Sequence, residues 1–238
     1  MNLLLLHPDE LSHDRRLARV TGRRAEHVRR VHRASVGRQL RVGVVDGPVG
    51  EGRVETLDDS GVELSLVWSG APPADLGVHL VLALPRPKVL GRLLRDVACL
   101  GVKRLTLMNA ARVEASYWQN HRLAPAFIRE QLLLGLEQAR DTLLPRVDFA
   151  RGFRPFVEDR LSQAEGHRLL LHPSSEAPHL TALPGFATLV IGPEGGFIPF
   201  ELSLLQASGF IAHALGPRIL RVETVVPVAL GRLRPDLL

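Results

Sequence analysis

The chain is 238 residues long, 45% apolar and 23% charged, a composition that fits one large or two modest folded domains and excludes a largely disordered chain. Thirty basic residues against 25 acidic ones give a net charge of +5; nearly all the bases are arginine, whose planar guanidinium grips phosphate oxygens two at a time, so a polyanionic partner such as RNA is expected. The single Cys99 excludes an internal disulfide, and no window approaches the ~18 apolar residues of a membrane span.

The opening MNLLLLHPDE has four leucines in a row and no basic residue before them, too short an apolar core for an export signal, so a cytoplasmic protein is expected. Strands are expected at Asn2–Leu6, Gln39–Val45, Gly52–Leu57 and Val62–Trp68, separated by Asp46-Gly47, Gly50 and Ser60-Gly61 turns. Their rhythm predicts a small β-barrel. Between the first two, Ala25, Val28 and Val31 recur every third residue and predict a helix over Arg24–Ala34. From Arg15 to Arg41 there are ten arginines and one acid, Glu26, a local balance of +9. This run is either an RNA-binding surface or simply a solvated face, and Arg15, Arg16, Arg29, Arg30 and Arg33 are its candidate contacts.

Ala71–Asp75 reads as a linker, after which the rhythm changes. Strands are expected at Val78–Leu84, Arg104–Met108, Arg168–Leu171, Thr188–Ile191 and Ile211–Ala214, and helices at Val89–Leu100, Pro125–Gln138, Phe200–Ala207 and Val222–Leu233. Alternation of this kind predicts an α/β domain with a parallel sheet. Two of the strands end in glycine-proline turns, Gly192-Pro193-Glu194-Gly195-Gly196 and Leu215-Gly216-Pro217-Arg218. Ligands of parallel sheets bind beyond such strand ends, so the turns are expected to form two walls of one pocket for a flat, mostly uncharged group. The lysine-serine of a phosphate loop, the glycine spacing of a dinucleotide fold, a histidine pair at metal-ligand spacing and a hydrolase nucleophile elbow are all missing. No metal is expected.

IGPEGGF, Ile191 to Phe197, followed by LGPRILRVET, Leu215 to Thr224, resembles the RsmE family of ribosomal RNA methyltransferases in the SPOUT, or trefoil-knot, superfamily. The segment AEHVRRVHRASVG, the stretch Leu84–Gly101 with Lys88, and the pair Glu137-Gln138 are similar to that family as well, so the resemblance spans nearly the whole chain. It implies a PUA-like RNA-binding barrel over residues 1–70, a linker over 71–75 and a SPOUT methyltransferase domain over 76–238 that binds S-adenosyl-L-methionine in a deep knot. The implied cofactor residues are Leu171, Ile191, Gly192, Pro193, Glu194, Gly195 and Gly196 on one side, and Leu215, Gly216, Ile219, Leu220, Arg221 and Thr224 on the other. Lys88 joins the arginines as an implied RNA contact, and a homodimer through the last helix is implied too.

The family's reaction is methylation of N3 of a uridine, position 1498, in 16S rRNA of the 30S subunit. That nitrogen carries a proton and attacks poorly until the proton leaves, so a base or a field favouring the anion is needed. Arg221 is expected to stabilise charge on the uracil oxygens, or else to pair with an acid or an RNA phosphate. Glu194 is either a catalytic carboxylate or a turn residue capping a nearby amide. Departures from the family pattern fall at Cys99, at Arg140, displaced by one place, and over Asn109–Glu114. They bear on substrate choice, leaving a methyltransferase for tRNA or 23S rRNA and a non-catalytic ribosome-assembly protein as alternatives.

Overall fold

A computed structural model describes residues 2–31, 33–174 and 176–236. Two units emerge, one made of residues 1–74 with 133–144 and the other of 75–132 with 145–238.

The first unit contains β1 (Leu4–Leu6), β2 (Leu17–Val20), α1 (Gly22–Arg30), β3 (Gln39–Val44), β4 (Val49–Asp58) and β5 (Gly61–Gly70). Their order in the sheet is β1-β3-β4-β5-β2, with β1 parallel to β3 and every other pair antiparallel. Among the described residues no ladder joins β1 to β2, so the sheet is mixed and these pairings do not close it into the expected barrel. Alternation along the strands places Leu4, Leu6, Val20, Val42, Val54, Val62 and Leu64 in one core, which Ala25 and Val28 of α1 cover. The helix is shorter than its periodicity predicts. It stops at Arg30, Val31 is its C-cap and is 64% exposed, and Arg33 has turned to φ 46°; His32 lies outside the described residues. Residues 133–144 complete the unit, where the Glu137 carbonyl accepts the amides of Asn2 and Leu3 at 3.0 Å and the Thr142 hydroxyl donates to the Gly47 carbonyl at 2.6 Å.

The second unit runs β6 (Val78–Ala83), α2 (Pro87–Cys99), β7 (Arg104–Met108), α3 (Pro125–Ala139), β8 (Arg146–Ala150), α4 (Phe153–Asp159), β9 (His167–Leu171), β10 (Ala187–Ile191), α5 (Pro199–Ala207), β11 (Ile211–His213) and α6 (Val222–Leu233). The second half of α3 belongs to the first unit. All six strands are parallel, in the order β11-β9-β10-β6-β7-β8. The chain steps outward from β6 to β8, crosses to β9, and then inserts β10 between β9 and β6. Direction therefore reverses beside β6 and β10, and the loops at their carboxyl ends diverge to leave a crevice. Strand β10 is buried throughout, as a central parallel strand must be. Helix α2 buries Leu90, Leu94, Val97 and Ala98, the stripe read from their spacing. Helix α6 continues past Pro227, which sits beyond its first turn. No helix among the described residues is long and apolar enough to cross a membrane.

Candidate active site

The loops after β9, β10 and β11 and the first turn of α6 enclose one cavity. Ten of the thirteen expected cofactor residues line it: Leu171 at the end of β9; Ile191, Gly192, Pro193, Glu194 and Gly196 after β10; and Leu215, Gly216, Ile219 and Leu220 after β11. Gly195, Arg221 and Thr224 do not line it. Gly195 turns its carbonyl toward Arg112, which donates to it through Nη1. Arg221 is the exposed N-cap of α6, and its carbonyl accepts the amides of Thr224 at 2.9 Å and Val225 at 2.8 Å.

Local chemistry explains the loop shape. The amide of Gly196 donates to the Pro193 carbonyl at 2.8 Å, and Gly196 has φ 74°, a left-handed conformation that side chains disfavour. A Cβ on Gly192 would lie 3.0 Å from two atoms of the Phe197 ring, so the missing side chain lets that buried ring fold back under the loop. Glu194 reaches α2: its Oε1 accepts the Arg86 amide at 3.2 Å and stands 4.0 Å from the Arg86 Nε. Arg86 is the N-cap of α2, where a carboxylate is favoured by the helix dipole. Glu194 thus caps an amide, one of the two roles its sequence position leaves open, with Arg86 as the partner.

Sequence reasoning missed several wall residues: His172, Pro173, Phe197, His213, Arg218, Val222 and Val225. Phe197 and Arg218 stand inside the quoted motifs. His172 and His213 carry no local signal, because only the pairing of β9 with β11 brings them together; the His172 amide donates to the His213 carbonyl at 3.1 Å. The Nδ1 of His213 is buried without a hydrogen-bond partner. An apolar wall and glycines that leave backbone groups approachable fit a flat heteroaromatic group with polar edges. They suit the adenine of S-adenosylmethionine. No group of three His, Cys, Asp or Glu side chains among the described residues converges on a metal position.

The expected RNA contacts divide into two kinds. Arg29 pairs with Asp59 at 2.7 Å and Arg30 with Glu26 at 3.2 Å. Arg15, Arg16, Arg33 and Lys88 are exposed and, among the described residues, form no ion pair with a carboxylate.

A family profile described as an RNA methyltransferase domain matches residues 72–234. The chain is 30% identical to a ribosomal RNA small subunit methyltransferase E of Treponema pallidum, over 96% of this chain and 89% of that one. It is also 30% identical to the protein of that name from Mycobacterium bovis, over 97% and 91%. A crystal structure of a ribosomal RNA small subunit methyltransferase E from Neisseria gonorrhoeae, bound to S-adenosyl methionine, superposes with a TM-score of 0.80 at 21% identity, covering 99% of this chain and 97% of that one. The resemblance extends to the fold of both units.

Proposed function

Since this chain belongs to the RsmE family of RNA methyltransferases, we propose that it transfers a methyl group from S-adenosyl-L-methionine to N3 of a uridine in 16S rRNA, on the 30S subunit in the cytoplasm. The observation that carries this reading is the single cavity built by both glycine-proline loops. The first unit is assigned as a PUA-like RNA-binding domain and the second as a SPOUT methyltransferase domain acting as a homodimer, assignments supported by family membership and by the parallel sheet.

When bound, the cofactor supplies an electrophilic methyl on a sulfonium. The chain does the rest. Backbone groups of Gly192, Glu194, Gly196, Leu215 and Gly216 would hold the adenine edge, while Leu171, Ile191 and Phe197 would exclude water from its faces. Arg221, exposed at the start of α6 and without an ion-pair partner among the described residues, is assigned to the uracil oxygens, where negative charge develops as N3 loses its proton. Glu194 is assigned two tasks. Its Oε1 anchors the loop on α2, and its second oxygen is the acceptor for the N3 proton.

The test is mass mapping of small-subunit rRNA after incubating unmethylated 30S particles with the protein and S-adenosylmethionine. One new methyl on N3 of one uridine is the expected result. Methylation of tRNA or 23S rRNA instead would reassign the substrate, and cofactor binding with no methylation of any RNA would reduce the protein to a binding module.

A further inference from the structure

We propose that a second cavity, at the amino-terminal edge of the parallel sheet and lined by His79, Arg104, Arg160, Gln163 and Thr188, binds a phosphate group. Its volume is about 160 Å³, several times the ~30 Å³ that liquid water allots to one molecule. It lies at the opposite strand ends from the candidate active site, since His79, Arg104 and Thr188 stand at the starts of β6, β7 and β10.

Sheet register creates the arrangement. Arg104 pairs with His79, and His79 with Thr188, so the three side chains form one row on one face of the sheet. The segment that follows α4 closes the cavity with Arg160 and Gln163. Two guanidinium groups thus meet at one cavity. Neither has a carboxylate partner among the described residues: Arg104 lies over the Phe186 ring at 5.6 Å and Arg160 over the Phe156 ring at 5.3 Å. Rings beneath them orient the planes but leave their N–H edges free for an oxyanion.

The surrounding charges are otherwise accounted for. Arg146 pairs with Asp148 at 3.1 Å, and Arg168, next in the row, donates to the carbonyls of Ala164 and Ser208. Glu165 lines the cavity but forms no ion pair with either free arginine. His79 bonds to the Thr106 hydroxyl at 2.9 Å, and its pKa is pushed down to about 4 by burial first and then by Arg104, with Asp148 opposing and Arg160 adding. A bound phosphate would offset both arginines and return the ring toward its ordinary value.

The experiment is imidazole NMR of the full chain at constant ionic strength, with inorganic phosphate titrated against chloride, the His79 resonance being identified by its loss in His79→Gln. A saturable shift of that resonance at millimolar phosphate, with a rise in its titration midpoint, is expected. The double variant Arg104→Gln, Arg160→Gln, altered only at exposed side chains, should weaken the shift about tenfold or more. Competition by an oligouridine lacking terminal phosphates would assign the site to RNA backbone phosphates, and failure to compete would assign it to free phosphate or a monoester. No saturable shift, or one that survives the double variant, overturns the proposal.

Discussion

The buried carboxylate of Glu201, on α5, accepts the amide of Ala111, ninety positions earlier in the chain, at 2.6 Å. Its other oxygen accepts the Ile198 amide at 3.0 Å, so one side chain caps α5 and ties it to the loop after β7. That loop also carries Arg112, whose guanidinium holds the Gly195 carbonyl. The cavity wall after β10 is therefore fixed from outside by residues that never touch its interior.

Removing the tie should loosen that wall. Glu201→Ala leaves the amides of Ala111 and Ile198 without their charged acceptor, and a hydrogen bond to a charged group contributes about 1.5–3 kcal/mol. We expect a stability loss of roughly 2–4 kcal/mol in urea unfolding, together with weaker S-adenosylmethionine binding by calorimetry. Glu201→Gln, which keeps one acceptor, should fall between. An alanine variant as stable as wild type would show that Glu201 does not hold the loop.

His79 supplies a pH signature of the fold. Its folded pKa of about 4 lies below the ordinary 6.5, so the unfolded chain binds the extra proton between these values. The stability from neutral His79 is complete above pH 6.5 and is lost as pH falls toward 4. The stability difference between wild type and His79→Gln should therefore grow by roughly 2–3 kcal/mol from acid to neutral pH. A constant difference across that window would mean the ring is not held neutral.

Glu137 predicts the opposite slope. Burial raises its pKa above the ordinary 4.5, with Arg23 and Arg24 opposing. Its contribution is thus greatest below pH 4.5 and declines as pH rises through the folded value. Glu137→Gln should match wild type in acid and gain on it toward neutral pH, measured by paired denaturation curves. A variant that instead loses ground with rising pH would show that the pair with Arg23, at 3.5 Å, outweighs burial.

Periodicity explains why so much of the second unit was legible. The strand Arg104–Met108 and helix Val222–Leu233 have the expected bounds because Leu105 to Met108 are buried together and Val222, Val226, Ala229, Leu230 and Leu233 recur at helical spacing. Strand β2, LARV among arginines, and β8, RVDFA, are short edge strands with exposed or half-exposed positions, so no buried run marks them in the sequence. Their partners on β5 and β7 define them, which is tertiary information. The same holds for the site. Gly192 to Gly196 and Leu215 to Leu220 are contiguous motifs and were readable, whereas His172, His213 and Arg112 reach it only through strand order and a loop contact.

Arg234, just beyond α6, is a buried cation that forms no ion pair with a carboxylate among the described residues. Its guanidinium donates to the carbonyls of Leu76 at 3.1 Å and Leu233 at 3.0 Å, and also to those of Leu183 and Gly185. A planar fork presents five donors spread over three nitrogens and so reaches all of these carbonyls, whereas an ammonium has three donors on one nitrogen. Arg234→Lys should therefore destabilise nearly as much as Arg234→Met, by about 2–4 kcal/mol in denaturant. Near-wild-type stability of the lysine variant would show that charge alone suffices.

Gly192 and Phe197 give the most direct test of the cavity's shape. An added Cβ at Gly192 would stand 3.0 Å from the Phe197 ring, which is only 4% exposed and has little room to retreat. Gly192→Ala should push the ring and reshape the wall after β10, weakening S-adenosylmethionine binding about tenfold or more, equivalent to roughly 1.4 kcal/mol. The companion change Phe197→Ala removes the ring atoms the methyl would meet. If the clash is the cause, the double variant recovers part of the affinity that Gly192→Ala loses, which an additive pair would not do. Calorimetry on the four proteins of this cycle reads the coupling, and strict additivity would place the role of Gly192 in its backbone rather than in its contact with the ring.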